Sequence, residues 1–249
     1  MNSINQYTSE ALAQISAKLE ERSPQEILRW AVDEFFPYLT LACSFGGPSG
    51  MVLVDMIAEI EPKVEVFYLD TDFLFSETHE TLQRVIERYG IQPVAYKSQL
   101  TPEEQAAEHG DELWLRDPDL CCSIRKVEPN KRALEGKRAW IAGIRRDQGA
   151  TRVETPIVQW DEKFDLVKVI PLANWSEADV WGYITKHDVP YNPLHDRSYP
   201  SIGCTYCTRP VAAGDDPRSG RWQGLDKTEC GLHTPGEVIP LAQGERRKG

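Results

Sequence analysis

The sequence has no long hydrophobic run. Its most apolar stretch, Met51 to Ile60, falls well short of the roughly 20 residues a membrane-spanning helix needs. Positive charge is also scarce. The formal net charge of -11 argues against general binding to a nucleic-acid backbone. Met1 to Gln6 carries no basic patch leading into an apolar segment, so no secretory leader is expected and the cytoplasm is the expected compartment. Without such a leader the six cysteines are expected to be reduced, which excludes a disulfide scaffold. Repeats and low-complexity segments are missing too. The glycine-rich turn Ser44–Gly50 does not end in Gly-Lys-Ser/Thr and does not match Gly-x-Gly-x-x-Gly, so neither a Walker A loop nor a dinucleotide fingerprint is present.

What remains is an ordinary globular composition, 41% hydrophobic and 27% charged over 249 residues, enough for one large α/β core. Residues 1–34 carry Leu12, Ile15, Leu19, Ile27, Leu28 and Ala31 at helical spacing, with Ser23-Pro24 as a helix-start signal. Apolar runs at Tyr38–Phe45, Val64–Leu69, Pro93–Tyr96, Trp140–Ile144 and Leu166–Ile170 read as buried strands. Helical patterns lie between them: Met51–Ala58, Phe75–Tyr89, near Pro102–His109, and from about Cys122 towards Leu134 with a disturbance at Pro129. Ser176 with Asp179 starts another. Alternation of strand, turn and helix predicts a doubly wound, mostly parallel sheet with N-terminal helices. Beyond Asp188 the chain turns rich in Pro, Gly and polar residues and is expected to be irregular, ending in a mobile tail.

The cysteines carry most of the chemical information. Cys204-Thr205-Tyr206-Cys207 spaces two thiolates for one centre, and Cys121-Cys122 supplies a second pair. By spacing alone, an iron–sulfur cluster, a zinc site and a redox dithiol all remain open. Directly adjacent cysteines suit the separate iron corners of a cubane better than a single ion. Lys126, one helical turn after Cys122, and Arg125 beside it could offset the charge of four thiolates. They belong to a basic island, from Arg125 to Arg146, opposed by only Glu128 and Glu135. Cys43 sits in an apolar strand and reads as a small hydrophobe.

Cys230, in Glu229-Cys230-Gly231-Leu232-His233, stands outside the pairs. The neighbouring glycine leaves room for attack at its sulfur, and His233 could hold a thiolate or an oxyanion. Cys230 is therefore the candidate nucleophile. Arg218 and Arg221, three apart, and Arg145-Arg146, at the end of the Trp140 strand, are candidate anion ligands, because guanidinium forks match sulfate and phosphate oxygens.

The motifs Cys121–Pro129, Gly143-Ile144-Arg145-Arg146, Cys204-Thr205-Tyr206-Cys207 and Glu229–His233, in this order, closely resemble the thioredoxin-dependent adenylyl-sulfate reductases of the adenylyl- and phosphoadenylyl-sulfate reductase family. The resemblance spans the chain from the Ser44 loop to His233. It implies an adenine-nucleotide α-hydrolase-like, ATP pyrophosphatase type of fold. Residues 1–203 are then one α/β nucleotide-binding domain with its helical cover, and 204–249 form a C-terminal segment holding cluster ligands and the catalytic cysteine. It implies a 4Fe-4S cluster on Cys121, Cys122, Cys204 and Cys207, and Cys230 as the nucleophile. The implied substrate contacts are Ser44, Gly46, Gly47, Leu69, Lys126, Arg146, Arg218, Arg221 and His233. The implied activity is reduction of adenylyl sulfate to sulfite and AMP, with thioredoxin or a glutaredoxin-like dithiol as donor and an S-sulfocysteine as intermediate. Phosphoadenylyl-sulfate reduction is the alternative. No nucleic-acid or membrane partner is implied, and a homo-oligomer is compatible. The pyrophosphatase loop Ser-Gly-Gly-x-Asp-Ser is not kept: Gly46-Gly47-Pro48-Ser49-Gly50 lacks its acidic residue, which argues against ATP hydrolysis.

Overall fold

The structure, a computed structural model, describes residues 7–233. Residues 1–6 of the expected helical cover and 234–249 of the expected C-terminal segment, including the expected mobile tail, lie outside the described residues. Two helices open the fold. α1 (Ser9–Leu19) starts where the Thr8 hydroxyl accepts from the Ala11 N–H, and α2 (Pro24–Phe35) starts at a reciprocal Ser23–Glu26 cap with proline in the first turn. Then come β1 (Leu39–Ala42), α3 (Pro48–Ile60), β2 (Glu65–Asp70), α4 (Ser76–Tyr89), β3 (Val94–Lys97), α5 (Pro102–His109), α6 (Leu113–Arg116) and α7 (Pro118–Cys122). A π-helical turn, Ser123–Val127, leads into α8 (Glu128–Leu134). β4 (Ala139–Ile141), β5 (Val158–Asp161), β6 (Leu166–Val169) and α9 (Glu177–His187) complete the regular structure.

The sheet order is β3-β2-β1-β4-β6-β5, parallel except for the antiparallel β5–β6 pair. The chain winds from β1 outward through β2 and β3, then crosses back to β4. Between β1 and β4 the winding direction reverses, which is where open α/β sheets bind ligands at their carboxyl ends. Leu39, Leu41, Ala139, Trp140 and Ile141 are all buried there, under α3, whose Met51 to Ile57 face is apolar and almost wholly enclosed. No described helix is long and apolar enough to cross a membrane.

Three expectations are adjusted. Helix α3 begins at Pro48 rather than Met51, because proline lacks the N–H that a first turn leaves unpaired. The irregularity expected at Pro129 is the π-helical turn. There the Glu128 N–H reaches back to the Ser123 carbonyl, and the widened turn admits a proline early in the next helix. Strand β5, Val-Gln-Trp-Asp, was not expected. Only Val158 and Asp161 are buried, so it lacks the apolar continuity of the other strands.

One polar network is enclosed between helices. The carboxylate of buried Asp55 on α3 accepts from Tyr89 Oη and Tyr183 Oη, each at 2.7 Å. Tyr183→Phe should leave one carboxylate oxygen unpartnered and lower stability by about 1–3 kcal/mol. A denaturant midpoint unchanged from the parent would contradict this.

Candidate active site

The crevice at the β1–β4 switch is a cavity of about 710 Å³. One end is the turn between β1 and α3. Phe45 takes a left-handed backbone conformation there (φ 52°), which folds the turn tightly. The Gly46 and Gly47 N–H groups point towards Ser44 Oγ at 3.4 Å. The loop is also held from outside: His195 Nε2 lies 2.9 Å from the Gly46 carbonyl, and Asn192 Nδ2 donates to the Phe45 carbonyl at 3.3 Å. Burial lowers the His195 pKa, so the ring is neutral at pH 7 and donates from Nε2. Across the crevice Gly143 passes so close that a Cβ on it would lie 3.1 Å from the Gly50 nitrogen. A side chain there would crowd the helix start, so glycine lets β4 approach it closely. Ser44, Gly46, Gly47 and Leu69 all line this end.

Of the two arginines after β4, it is Arg145 that faces the cavity. It donates to Ser49 Oγ at 2.7 Å and to Asp147 at 2.9 Å, and is 5% exposed. Arg146, expected at the substrate, turns the other way. It donates to the Thr155 carbonyl at 2.8 Å and pairs with Glu20 of the chain after α1 and with Asn174. The backbone at Arg145 is extended (φ -130°, ψ 151°), so successive side chains point to opposite sides. Only one of the pair can face the cavity, and the sequence does not say which.

The cavity's other end meets the expected cysteines. Cys121 and Cys122 at the end of α7, and Cys204 and Cys207 around the 3₁₀ turn Thr205–Cys207, line one gap together with Phe73, Trp114, Arg125, Lys126 and Tyr206. Burial pushes the Cys121 thiol up to about 12, with Cys204 and Cys207 adding to the effect. Cys122 is likewise raised to about 12 by burial. Arg125 is 1% exposed; it donates to Gln105 at 2.8 Å and Asp72 at 3.0 Å and lies over the Phe73 ring, yet its Nη2 has no partner. Lys126 and Cys204 border both this gap and the large cavity. Cys43 is buried, and burial takes its thiol to about 12, which fits the inert role expected of it.

Residues 227–233 run back along the cavity wall. Lys227 pairs with Asp119 and Glu229 with Arg152 and Arg218; Lys163 Nζ donates to the Gly231 carbonyl at 2.7 Å. His233 stacks on Trp140, ring centres 5.7 Å apart and planes 20° from parallel. This places Cys230 in the cavity with Lys126, Arg218, Arg221 and His233. Arg221 donates to the Cys207 carbonyl at 3.2 Å and to Ser201 Oγ at 3.3 Å, lies over the Trp222 ring, and occupies the space a Cβ at Gly203 would need. Burial alone would raise the Cys230 pKa; Lys126, the Leu232 N–H and Arg221 outweigh it, and the net shift is downward. His233 is held well below its usual value by burial and by Lys168, Arg152 and Arg218, so its ring is neutral. It adds no further cation, and its buried Nδ1 has no partner among the described residues. Sequence reasoning passed over Arg152, an isolated charged residue with no spacing signal, gave no role to Glu229 within its motif, and passed over Lys168, buried in β6 against Asp161 at 3.2 Å and the Trp140 face at 4.7 Å.

This geometry agrees with the likenesses to known proteins. Residues 39–210 match the phosphoadenosine phosphosulfate reductase domain. The chain belongs to that family. It is 50% identical over 222 residues to an adenosine 5′-phosphosulfate reductase of Shouchella clausii, covering 89% of this chain and 92% of the relative. It is 50% identical over 208 residues to adenosine 5′-phosphosulfate reductase 1 of Bacillus subtilis, covering 83% and 89%. The crystal structure of a phosphoadenylyl-sulfate reductase from Candida auris, a phosphate complex, superposes with a TM-score of 0.72 at 36% identity over 82% of this chain and 98% of that one. An FMN adenylyltransferase of Candida glabrata shares the fold alone, with a TM-score of 0.58 at 15% identity over 96% and 84%. The reductase family thus has the adenine-nucleotide α-hydrolase-like fold expected from the motifs.

A lowered thiol pKa sets a pH dependence. Mass-mapped alkylation of Cys230 should reach half its maximal rate below pH 9.0, the ordinary thiol value. Lys126→Gln should move that midpoint upward, since removing a cation favours the neutral thiol. A midpoint unmoved by the substitution would contradict the assigned cause.

Proposed function

We propose that this family member is an assimilatory adenosine 5′-phosphosulfate reductase, and that Cys230 is its nucleophile. One observation carries the reading: a single cavity joins the Ser44–Gly47 turn at the sheet's switch point to Cys230, Lys126, Arg218 and Arg221. An adenylate seated on the turn presents its phosphosulfate to cations and a thiolate at the far end. The relatives at 50% identity, each named adenosine 5′-phosphosulfate reductase, support the substrate. Reduction of the 3′-phosphorylated nucleotide is the second reading, favoured by the Candida auris likeness at lower identity.

The chemistry balances without a further co-reactant beyond a dithiol. The Cys230 thiolate attacks the sulfate sulfur and an S–S bond forms. The S–O bond to phosphate breaks, and AMP leaves with its electron pair. A dithiol donor, thioredoxin or a glutaredoxin-like protein, attacks the Cys230 sulfur and releases sulfite with the electron pair of the S–S bond. Its second thiol resolves the mixed disulfide, so both electrons come from the donor. Lys126, Arg218 and Arg221 stabilise charge on the transferring group because they are fixed before reaction.

The four-cysteine gap suits a 4Fe-4S cluster. The Cys121 and Cys122 thiols are buried and raised to about 12, so ligation would have to displace their protons, and Arg125 Nη2 is a buried donor left without a partner. A cluster held by Cys121, Cys122, Cys204 and Cys207 would supply a fixed charge distribution beside Lys126.

Cys230→Ser should lower turnover by about three orders of magnitude or more and abolish the sulfonate adduct, while nucleotide binding persists. Intact-mass spectrometry after mixing with adenylyl sulfate is the check, and a stable adduct on the variant would sink the assignment. Arg218→Gln and Arg221→Gln should each weaken substrate binding about 10- to 100-fold, the loss of a charge-assisted hydrogen bond. Comparing kcat/KM for the two sulfated nucleotides separates the two readings. Iron analysis of anaerobically purified protein tests the cluster, and zinc without iron would refute it.

A further inference from the structure

Glu229 is the residue before Cys230, and its carboxylate is engaged from two sides. Arg152 Nε and Nη2 donate to Oε1 at 3.1 and 2.8 Å and Nη2 to Oε2 at 2.9 Å, a two-pronged contact, and Arg218 Nη2 lies 3.2 Å from the same Oε2. The pair is largely enclosed, with Glu229 10% and Arg152 12% exposed at the side chain. The remaining donor of Arg152, Nη1, meets Gln148 Oε1, which also accepts from the Arg145 backbone N–H at 3.1 Å. A continuous chain therefore runs from the Ser49 end of α3, through Arg145, Gln148 and Arg152, to Glu229. It ends one peptide bond from the cavity cysteine.

Two consequences follow from the donor count. Every nitrogen of Arg152 has a partner, and three of its four contacts go to Glu229, so most of its donors are committed to the tail while Glu229 is in place. Arg218 keeps Nε and Nη1 for other partners among the described residues, and Lys126 makes no hydrogen bond there. Without the carboxylate, two guanidinium groups would face each other across a low-dielectric wall and separate. The wall and the tail segment are mutually dependent.

We propose that Glu229 is a positioning residue: clamped by Arg152 and Arg218, its carboxylate docks residues 227–233 and so fixes the Cys230 sulfur in the cavity. This rests on the reading of Cys230 as nucleophile, and it assigns to Arg152 a role in placing the attacking atom and none in holding the sulfate. The competing role for Glu229 is that of a plug, filling a seat the substrate must take.

The test uses the full chain carrying Glu229→Gln, Arg152→Gln, both together, and Glu229→Asp. Hydrogen–deuterium exchange of the peptide spanning 227–233 reports docking, with exchange of β1 and β4 as the control for folding. Single-turnover formation of the Cys230 sulfonate reports placement, and AMP affinity reports the nucleotide seat. Each single Gln variant should speed exchange in 227–233 and slow sulfonation about tenfold or more, with AMP affinity changed less than about twofold. The double variant should be no worse than the poorer single one, and Glu229→Asp should recover part of the rate. Unchanged exchange in both single variants, losses that multiply in the double variant, or faster sulfonation in Glu229→Gln would each overturn the proposal. Should the parent protein form no sulfonate, the nucleophile reading fails, while the exchange measurement still decides whether the clamp exists.

Discussion

The site depends on a single ammonium group. Lys126 borders both the nucleotide cavity and the cysteine gap, and three sulfurs bear on it: those of Cys204, Cys230 and Cys122. Burial works against its charge and the neighbouring sulfurs favour it, and the net shift of its pKa is upward. Lys126 in turn lowers the Cys122 and Cys230 thiols against the effect of burial, and for Cys230 the net shift is downward. The backbone device behind this is the π-helical turn. It carries Cys122 at its start and Lys126 near its end, and its wider pitch alters which residues share a face. Arg125, the residue before Lys126, lines only the cysteine gap, reaching Gln105, Asp72 and the Phe73 ring.

An acidic protein has to build a cationic cavity from few positive charges, and here most of them are neutralised locally. Arg145 is paired with Asp147, Arg152 with Glu229, and Lys168 with Asp161. Those pairs hold walls: the helix start at Ser49, the tail, and the Trp140 floor on which His233 rests. Lys126, with the unpaired edges of Arg218 and Arg221, is left to meet an anion. The division explains why a cavity lined by so many basic residues does not collapse through repulsion, and why the neutral His233 adds no further charge. Under the proposed function it also separates residues that would bind from residues that would position, which a list of basic residues cannot do.

Much of this was readable in advance. The strands around the switch point are continuous apolar runs, and the paired cysteines, Lys126, Arg218, Arg221 and Cys230 are marked by spacing and by shared motifs. The structure brings all of these to one connected space. What escaped notice has physical reasons. Strand β5 is held to β6 by an antiparallel ladder, with half its side chains uncovered, so its sequence shows no apolar continuity. The orientation of Arg145 against Arg146 turns on one extended residue, and a shift of one place exchanges the faces. Arg152 and Glu229 lie 77 positions apart, and nothing local in either neighbourhood announces a partner at that distance.

The tail is fastened by contacts of a particular kind. Its links include ion pairs from Lys227 and Glu229, an arginine–carbonyl hydrogen bond at Thr228, a lysine–carbonyl hydrogen bond at Gly231, and a ring stack at His233. Charge-assisted contacts of this sort define geometry closely but contribute only about 1.5–3 kcal/mol each, and solvent screening reduces that further near the surface. A tail anchored by a large apolar face would hold Cys230 more firmly, yet it would also keep a protein dithiol from a half-buried sulfur that must form a bond with it. The proposed reaction makes both demands of the same atom in succession: fixed placement for the first displacement, access for the second. Polar fastening meets both, because it positions sharply when made and gives way without exposing a core.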